Sequence, residues 1–238
     1  METHTLPADS TAADERAILF VGDIQGCSRE LELLLDQAGF VPGRHRLIPL
    51  GDTINRGPDA ARTLALLRQA EAEPILGNHE CALLELAQAT PAPEHAQRPQ
   101  SAYAQLLQAG QLQPALEWIS SWPLYRSGGD WLAVHAGLHP LHAPEATDPA
   151  FLTNVRYCDA NGHVPPESER NSKAAPAGFR PWHAFYQGQR TVMFGHWARQ
   201  GLLIGTRLRG LDTGCVYGGR LTGLWWPEDR LVQVPVAS

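Results

Sequence analysis

Five short clusters that pair glycine with oxygen or nitrogen donors constrain this chain more than any other feature. They read Gly22-Asp23-Ile24-Gln25-Gly26, Gly51-Asp52 with Asn55-Arg56-Gly57, Gly77-Asn78-His79-Glu80, His135-Ala136-Gly137 and Gly195-His196. Each follows a short strand-like run, where glycine permits a sharp turn and the neighbouring donors converge beyond the strand ends. A single Gly-Asp is ordinarily a turn. The ordered set is a different matter, because carboxylate, amide and imidazole groups gathered in one place suit divalent ions. Two such ions sharing one carboxylate form a hydrolytic centre. Asp52 suits the shared position, with Asp23 and Gln25 completing one shell and Asn78, His135 and His196 the other.

The intervening sequence reads as alternating strands and helices. The apolar runs at 17–21 and 47–50 end at the first two clusters, as buried parallel strands do. Ser28 is placed to cap a helix carrying Leu31, Leu34 and Leu35, with Gly39 as its stop. Helices are also expected at 58–70 and 80–89, and a third strand at 74–76. This is a βαβαβ start with candidate ligands at every strand's carboxyl end. A loop rich in Pro, Ala and Gln at 90–100 precedes two helices, 101–108 and 114–121, read as a side cap. The strand at 131–134 leads to His135, and the weakly periodic stretch 139–181 reads as a surface excursion. From 191 onward, strand-like runs at 192–194, 202–204, 221–226 and 231–234 predict a mainly antiparallel second sheet. Residues 1–16 read as a mobile leader and 17–238 as one domain.

Bulk properties exclude several classes. No run approaches the roughly 20 apolar residues that span a bilayer, and the first residues lack an export signal, so a cytoplasmic protein with no membrane association is expected. Cys27, Cys81, Cys158 and Cys215 form no CxxC pair and read as free thiols. A formal net charge of -6 without a long basic run argues against a nucleic-acid-coating surface.

The ordered clusters resemble those of the calcineurin-like metallophosphoesterases, specifically their phosphoprotein-phosphatase branch. Within it, the later segments are similar to the symmetrical diadenosine tetraphosphatases. These segments are Thr153-Asn154, Arg156-Tyr157-Cys158, Pro181-Trp182, Phe194-Gly195-His196-Trp197-Ala198 and Leu211-Asp212-Thr213-Gly214-Cys215-Val216-Tyr217-Gly218-Gly219. The resemblance implies an α/β fold, a four-layered αββα sandwich with a small helical cap. It gives Asp23, Asp52, Asn78, His135 and His196 the ligand positions for two divalent ions. His79 becomes the group that protonates the leaving oxygen, and Arg56 and Arg156 become the phosphate clamps.

Two positions depart from the branch. Gln25 stands where the wider motif has His, and its harder amide oxygen points to manganese, with cobalt or magnesium as substitutes, rather than zinc. Asn55 stands where the protein phosphatases have Asp, so no carboxylate there supports a protonated His79. That suits a leaving group of phosphate-like pKa, about 6, better than a basic alkoxide. The expected reaction is symmetrical hydrolysis of diadenosine tetraphosphate to two molecules of ADP, with nucleotide-capped RNA ends open to the same chemistry and no stable protein partner. A protein serine/threonine phosphatase is the alternative, and a non-catalytic nucleotide-binding protein a third reading. Trp182, Tyr186 and Trp197 lie near the motifs as planes for an adenine, although packing is the role favoured for them.

Overall fold

The protein, described by a computed structural model over residues 16–89 and 98–236, places its first two clusters on one sheet and its last two on another. Strand β1 (Ile18–Val21) runs parallel to β2 (Arg46–Pro49). Helix α1 (Ser28–Ala38) connects them, starting one residue after its N-cap Cys27 and stopping at Gly39, whose φ of 69° is readily reached only without a side chain. Helix α2 (Ala60–Gln69) follows, with the Asp59 carboxylate accepting from the Arg62 N–H at 2.8 Å.

No third strand forms at 74–76. Glu73 and Ile75 donate to Leu47 O and Pro49 O at 2.8 and 3.3 Å, but Leu76 turns its N–H away to Pro123 O at 2.8 Å, so the ladder stops after two bonds. The chain passes directly into α3 (Asn78–Gln88), which therefore carries Asn78 and His79 in its first turn. Helices α4 (Ala102–Gln108) and α5 (Leu112–Ile119) pack with α2 and α3 through Leu64, Leu83, Leu106, Ile119 and Trp122, forming the expected side cap. Most of the segment at 90–100 and all of the leader but Arg16 lie outside the described residues.

The second sheet is built from β3 (Tyr125–Ser127), β4 (Trp131–Val134), β7 (Thr191–Phe194), β8 (Leu203–Gly205) and β9 (Leu208–Gly210), with a separate two-stranded pair, β5 (Tyr157–Cys158) and β6 (Arg180–Pro181), between β4 and β7 in the chain. Its order is β3-β4-β7-β9-β8, with β4, β7 and β9 parallel and only the edges antiparallel. This corrects the expectation of one mainly antiparallel late sheet. The last strands, β10 (Arg220–Trp226) and β11 (Arg230–Pro235), instead join the first sheet, order β11-β10-β1-β2.

Strand alternation explains the layering. Ile18 and Phe20 of β1 pack inward against Trp131, Ala133 and Met193 of the second sheet, while Leu19 and Val21 face Leu31, Leu34 and Leu67 of α1 and α2. On the other outer face, Leu132, Val134, Val192 and Phe194 are covered by α6 (Pro149–Asn154), through Phe151 and Leu152, and by Trp182. The stretch at 139–181 thus supplies an outer layer rather than a surface excursion. The αββα order expected from the resemblance holds, with the fourth layer thin.

Candidate metal centre and phosphate pocket

Every cluster opens at the same end of the two sheets. Asp23 and Asp52 follow β1 and β2, His135 and His196 follow β4 and β7, and Asp212 follows β9. Five of the seven non-glycine residues with positive φ among the described residues lie here: Gln25, Asp52, Asn55, Arg56 and His196. Such backbone costs about 1–3 kcal/mol each and is retained where surrounding structure imposes it. Close approach is equally demanding. A Cβ on Gly77 would meet Asp52 N and Oδ1 at 2.3 Å, and one on Gly195 would meet Asp23 Oδ1 at 2.1 Å.

Hydrogen bonds to carbonyls settle the histidine tautomers. His135 Nδ1 lies 2.7 Å from Leu50 O and His196 Nε2 lies 3.1 Å from Asn154 O. A carbonyl only accepts, so those nitrogens carry the protons and the opposite ones present lone pairs inward. Inside, His135 Nε2 lies 3.3 Å from Asp52 Oδ1, 3.1 Å from Asn78 Oδ1 and 3.2 Å from His196 Nδ1, which is itself 2.9 Å from Asn78 Oδ1. Two bare ring nitrogens, a carboxylate oxygen and an amide oxygen thus converge on one point, which is the donor set of a divalent ion. Asp52, His135 and His196 offer atoms mutually within 4.8 Å.

The neighbouring side of the cavity is rich in acid. Asp23 Oδ1 accepts from His196 N–H at 2.9 Å, whereas its Oδ2 is buried without a partner. Burial, then the Asp212 and Asp52 charges, push Asp23 well above the usual carboxylate range. Asp212 is likewise raised by burial and by Asp52, to about 6. Burial also opposes ionisation of Asp52, but His135, His79 and His196 outweigh it and hold this carboxyl below its ordinary value. Gln25 is buried on the same cavity wall. An orphaned carboxylate oxygen beside two further acids fits a second cation next to Asp52.

Glu80 holds this arrangement. Its Oε2 accepts from Asp52 N and Gly77 N at 2.8 and 2.9 Å, and its Oε1 from Thr53 N and Oγ1 at 2.8 and 3.0 Å. His79 donates its backbone N–H to Asp52 Oδ1 at 2.9 Å, so the start of α3 and its positive dipole face the shared carboxylate. The His79 ring sits with Nδ1 3.2 Å from Ile54 O and Nε2 3.2 Å from Arg56 Nε. Asn55 is turned elsewhere, its Oδ1 accepting from Ala102 N–H at 3.2 Å.

A cavity of about 560 Å³ opens over these groups, lined by Gln25, Asp52, Asn78, His79 and His196 and by three arginines, Arg56, Arg156 and Arg199. Arg156 bonds Asn171 Oδ1 through Nη1, while its buried Nε has no partner. Positive charge beside the acid-lined centre is what a polyphosphate requires.

Residues 16–200 match the model of the Calcineurin-like phosphoesterase family. The chain is a calcineurin-like phosphoesterase. Curated relatives named "Bis(5'-nucleosyl)-tetraphosphatase, symmetrical" include one from Acidovorax sp. (strain JS42), 34% identical over 87% of this chain and 91% of that protein, and one from Coxiella burnetii (strain CbuK_Q154), 32% identical over 94% and 93%. A crystal structure provisionally named a diadenosine tetraphosphatase superposes with a TM-score of 0.77 at 29% identity, covering 94% and 96% of the two chains. A yeast protein serine/threonine phosphatase shares the fold at a TM-score of 0.54 and 17% identity, over 94% of this chain and 80% of that one.

In this phosphoesterase the structure brings together Asp23, Gln25, Asp52, Asn78, His79, His135 and His196 with Arg56 and Arg156, turns Asn55 toward Ala102, and adds other residues. Asp212, Glu80 and Arg199 carried no assigned role, although Glu80 and Asp212 lie inside the quoted motifs. Arg199 had no signal beyond its nearness to His196. Of the three aromatics, Trp182 is fully buried against Phe194, and Tyr186 donates its hydroxyl to Arg190 O at 2.8 Å. Trp197 alone of these lines the cavity, and Tyr217, 61% exposed, joins it with Arg56 5.8 Å from its ring centre.

Proposed function

We propose that this metallophosphoesterase hydrolyses diadenosine tetraphosphate symmetrically to two molecules of ADP, with residues 17–238 acting as one cytoplasmic domain and without a stable protein partner. The observation that carries this reading is the pairing of His79 Nδ1 with the neutral Ile54 carbonyl, with Asn55 turned to Ala102. The carbonyl orients the imidazole, and Asn55 adds no second carboxylate to the one the ring already faces, Asp52 Oδ2 at 3.6 Å from Nε2. A leaving group that departs as a phosphate needs less help from an acid than serine or threonine departing as an alkoxide. The three arginines and the names of the relatives point the same way.

Asp23, Gln25 and Asp52 would hold one divalent ion and Asp52, Asn78, His135 and His196 the other, with manganese preferred and cobalt or magnesium able to replace it. When bound, the ions supply Lewis-acid charge at the phosphoryl oxygens and lower the pKa of the attacking water. Arg56 and Arg156 hold non-bridging oxygens of the inner phosphates, and Arg199 adds charge along the chain. His79 Nε2, an acceptor from Arg56 in the free enzyme, takes up a proton from solvent once Arg56 moves onto the phosphates and delivers it to the departing ADP oxygen. Glu80 keeps the Asp52 loop in register throughout. Nucleotide-capped RNA ends carry the same anhydride and would be cleaved by the same groups.

Chromatography of an early time point tests the assignment. Symmetrical attack gives ADP alone, carrying heavy oxygen from labelled water, and a phosphopeptide assayed in parallel with manganese turns over far more slowly. ATP and AMP in equal amounts would refute the symmetrical reading, and faster phosphopeptide turnover would favour the protein phosphatase.

A further inference from the structure

A substrate cleaved at its midpoint extends equally in both directions from the reacting bond, so a site built for it needs room for a nucleoside on each side. One side is the cavity over the metal centre, which continues past Arg156 and Arg199 to Trp197 and Tyr217. A second cavity, of about 680 Å³, lies between α3 and α4. Its volume falls in the range of small-molecule sites, roughly 300–1,000 Å³. Arg56 lines both cavities and Asn55 the second. This pair, at φ 66° and 75°, forms the saddle between them.

From this continuity we infer that the groove between α3 and α4 is the seat of the second nucleoside of the dinucleotide. The inference rests on the proposed function and names a part of the molecule that reading did not use. Helix α3 carries His79 in its first turn and lines the groove from Ala82 to Leu86, so the groove runs along the helix away from the proton donor. Seven residues from His79 to Leu86 advance about 10 Å, on the scale of a nucleoside diphosphate arm.

The groove lining suits such an arm. Leu83 and Leu86 give an apolar floor, and Tyr103 of α4 offers a plane on which a base can stack. Glu85 supplies a carboxylate acceptor for ribose hydroxyls, as acidic residues do in other nucleotide sites. Arg98, exposed at the rim, continues the positive charge that Arg56 begins at the saddle. An extended peptide would find no row of free backbone groups here, because both walls are helices.

The test compares KM for diadenosine tetraphosphate with KM for p-nitrophenyl phosphate, which carries no nucleoside. Tyr103→Ala is expected to raise the ratio of the two constants about tenfold, given what base stacking contributes in other sites, and Tyr103→Phe to return it to the parental value. Arg98→Glu, at an exposed position where folding is not at stake, is expected to raise the same ratio by a comparable factor. A parental enzyme that cleaves p-nitrophenyl phosphate but not the dinucleotide would overturn the substrate assignment and the second seat together. A parental enzyme that cleaves the dinucleotide, with the ratio unmoved in both Tyr103→Ala and Arg98→Glu, would overturn the seat alone.

Discussion

Arg56 donates from Nε to His79 Nε2 across 3.2 Å, so the nitrogen assigned to protonate the leaving group is occupied as an acceptor in the free enzyme. His79 Nδ1 must then carry the proton, given to Ile54 O. The guanidinium and the imidazole can each do their work only after they part. A polyphosphate that draws Arg56 onto its oxygens exposes the Nε2 lone pair, which takes a proton from solvent before it can give one to the leaving oxygen, so acid catalysis waits on correct seating of the substrate.

Arg56→Ala should therefore lower kcat/KM about tenfold to a hundredfold, the usual worth of a charge-assisted hydrogen bond. Steady-state kinetics measures the loss, and nitrogen NMR of the free parental enzyme should show His79 protonated at Nδ1. Unchanged kinetics in Arg56→Ala would leave this residue without the assigned role.

Asp52 is shared between the proposed ion sites, and its Oδ1 also anchors the first turn of α3 through His79 N–H. Asp52→Asn should lower kcat about a thousandfold or more, in line with the several kcal/mol that metal-ion catalysis supplies. Chelation should abolish turnover and manganese should restore it. Full activity after exhaustive chelation would sink the metal reading.

A carboxylate at 55 would retain the bond from Ala102 N–H and bring negative charge beside the Ile54 carbonyl that holds His79. Asn55→Asp is thus expected to raise phosphomonoester turnover relative to dinucleotide hydrolysis, by about tenfold or less. Equal effects on both substrates would separate specificity from the acidity of His79.

Away from the site, Arg46 holds Glu73 through two hydrogen bonds of 2.8 and 2.6 Å. Burial opposes ionisation of Glu73, but Arg46 and Arg126 outweigh it, and its folded-state pKa lies below the ordinary 4.5. A carboxyl depressed on folding contributes stability that is complete above the unfolded pKa and lost as pH falls through the folded one. Glu73→Gln should cost about 1–2 kcal/mol at pH 7, with the gap to the parental protein closing as pH drops below 4.5. Denaturant titrations at several pH values measure both.

The fold and centre were legible in the sequence to different depths. Asp23, Asp52, His135 and His196 could be found because each has a strand behind it and a glycine close by, and Asn78 because Gly77 precedes it at the start of a helix; these leave local marks. Strands β3 and β9 span three residues each and α6 only six, too short for periodicity to register. The pairing of β10 with β1 joins residues about 200 positions apart, Trp226 with Ile18, and no local pattern encodes such a partner. Asp212 escaped for the same reason, since its importance comes from the burial it shares with Asp23.

The inward nitrogens of His135 and His196 belong to one sheet and the carboxylates of Asp23 and Asp52 to the other. Ions bound among them would stitch the two halves of the sandwich at their open edge. Loading would then strengthen the whole molecule by mass action. In a cell short of the right metal, the protein would lose its turnover and its resistance to unfolding together.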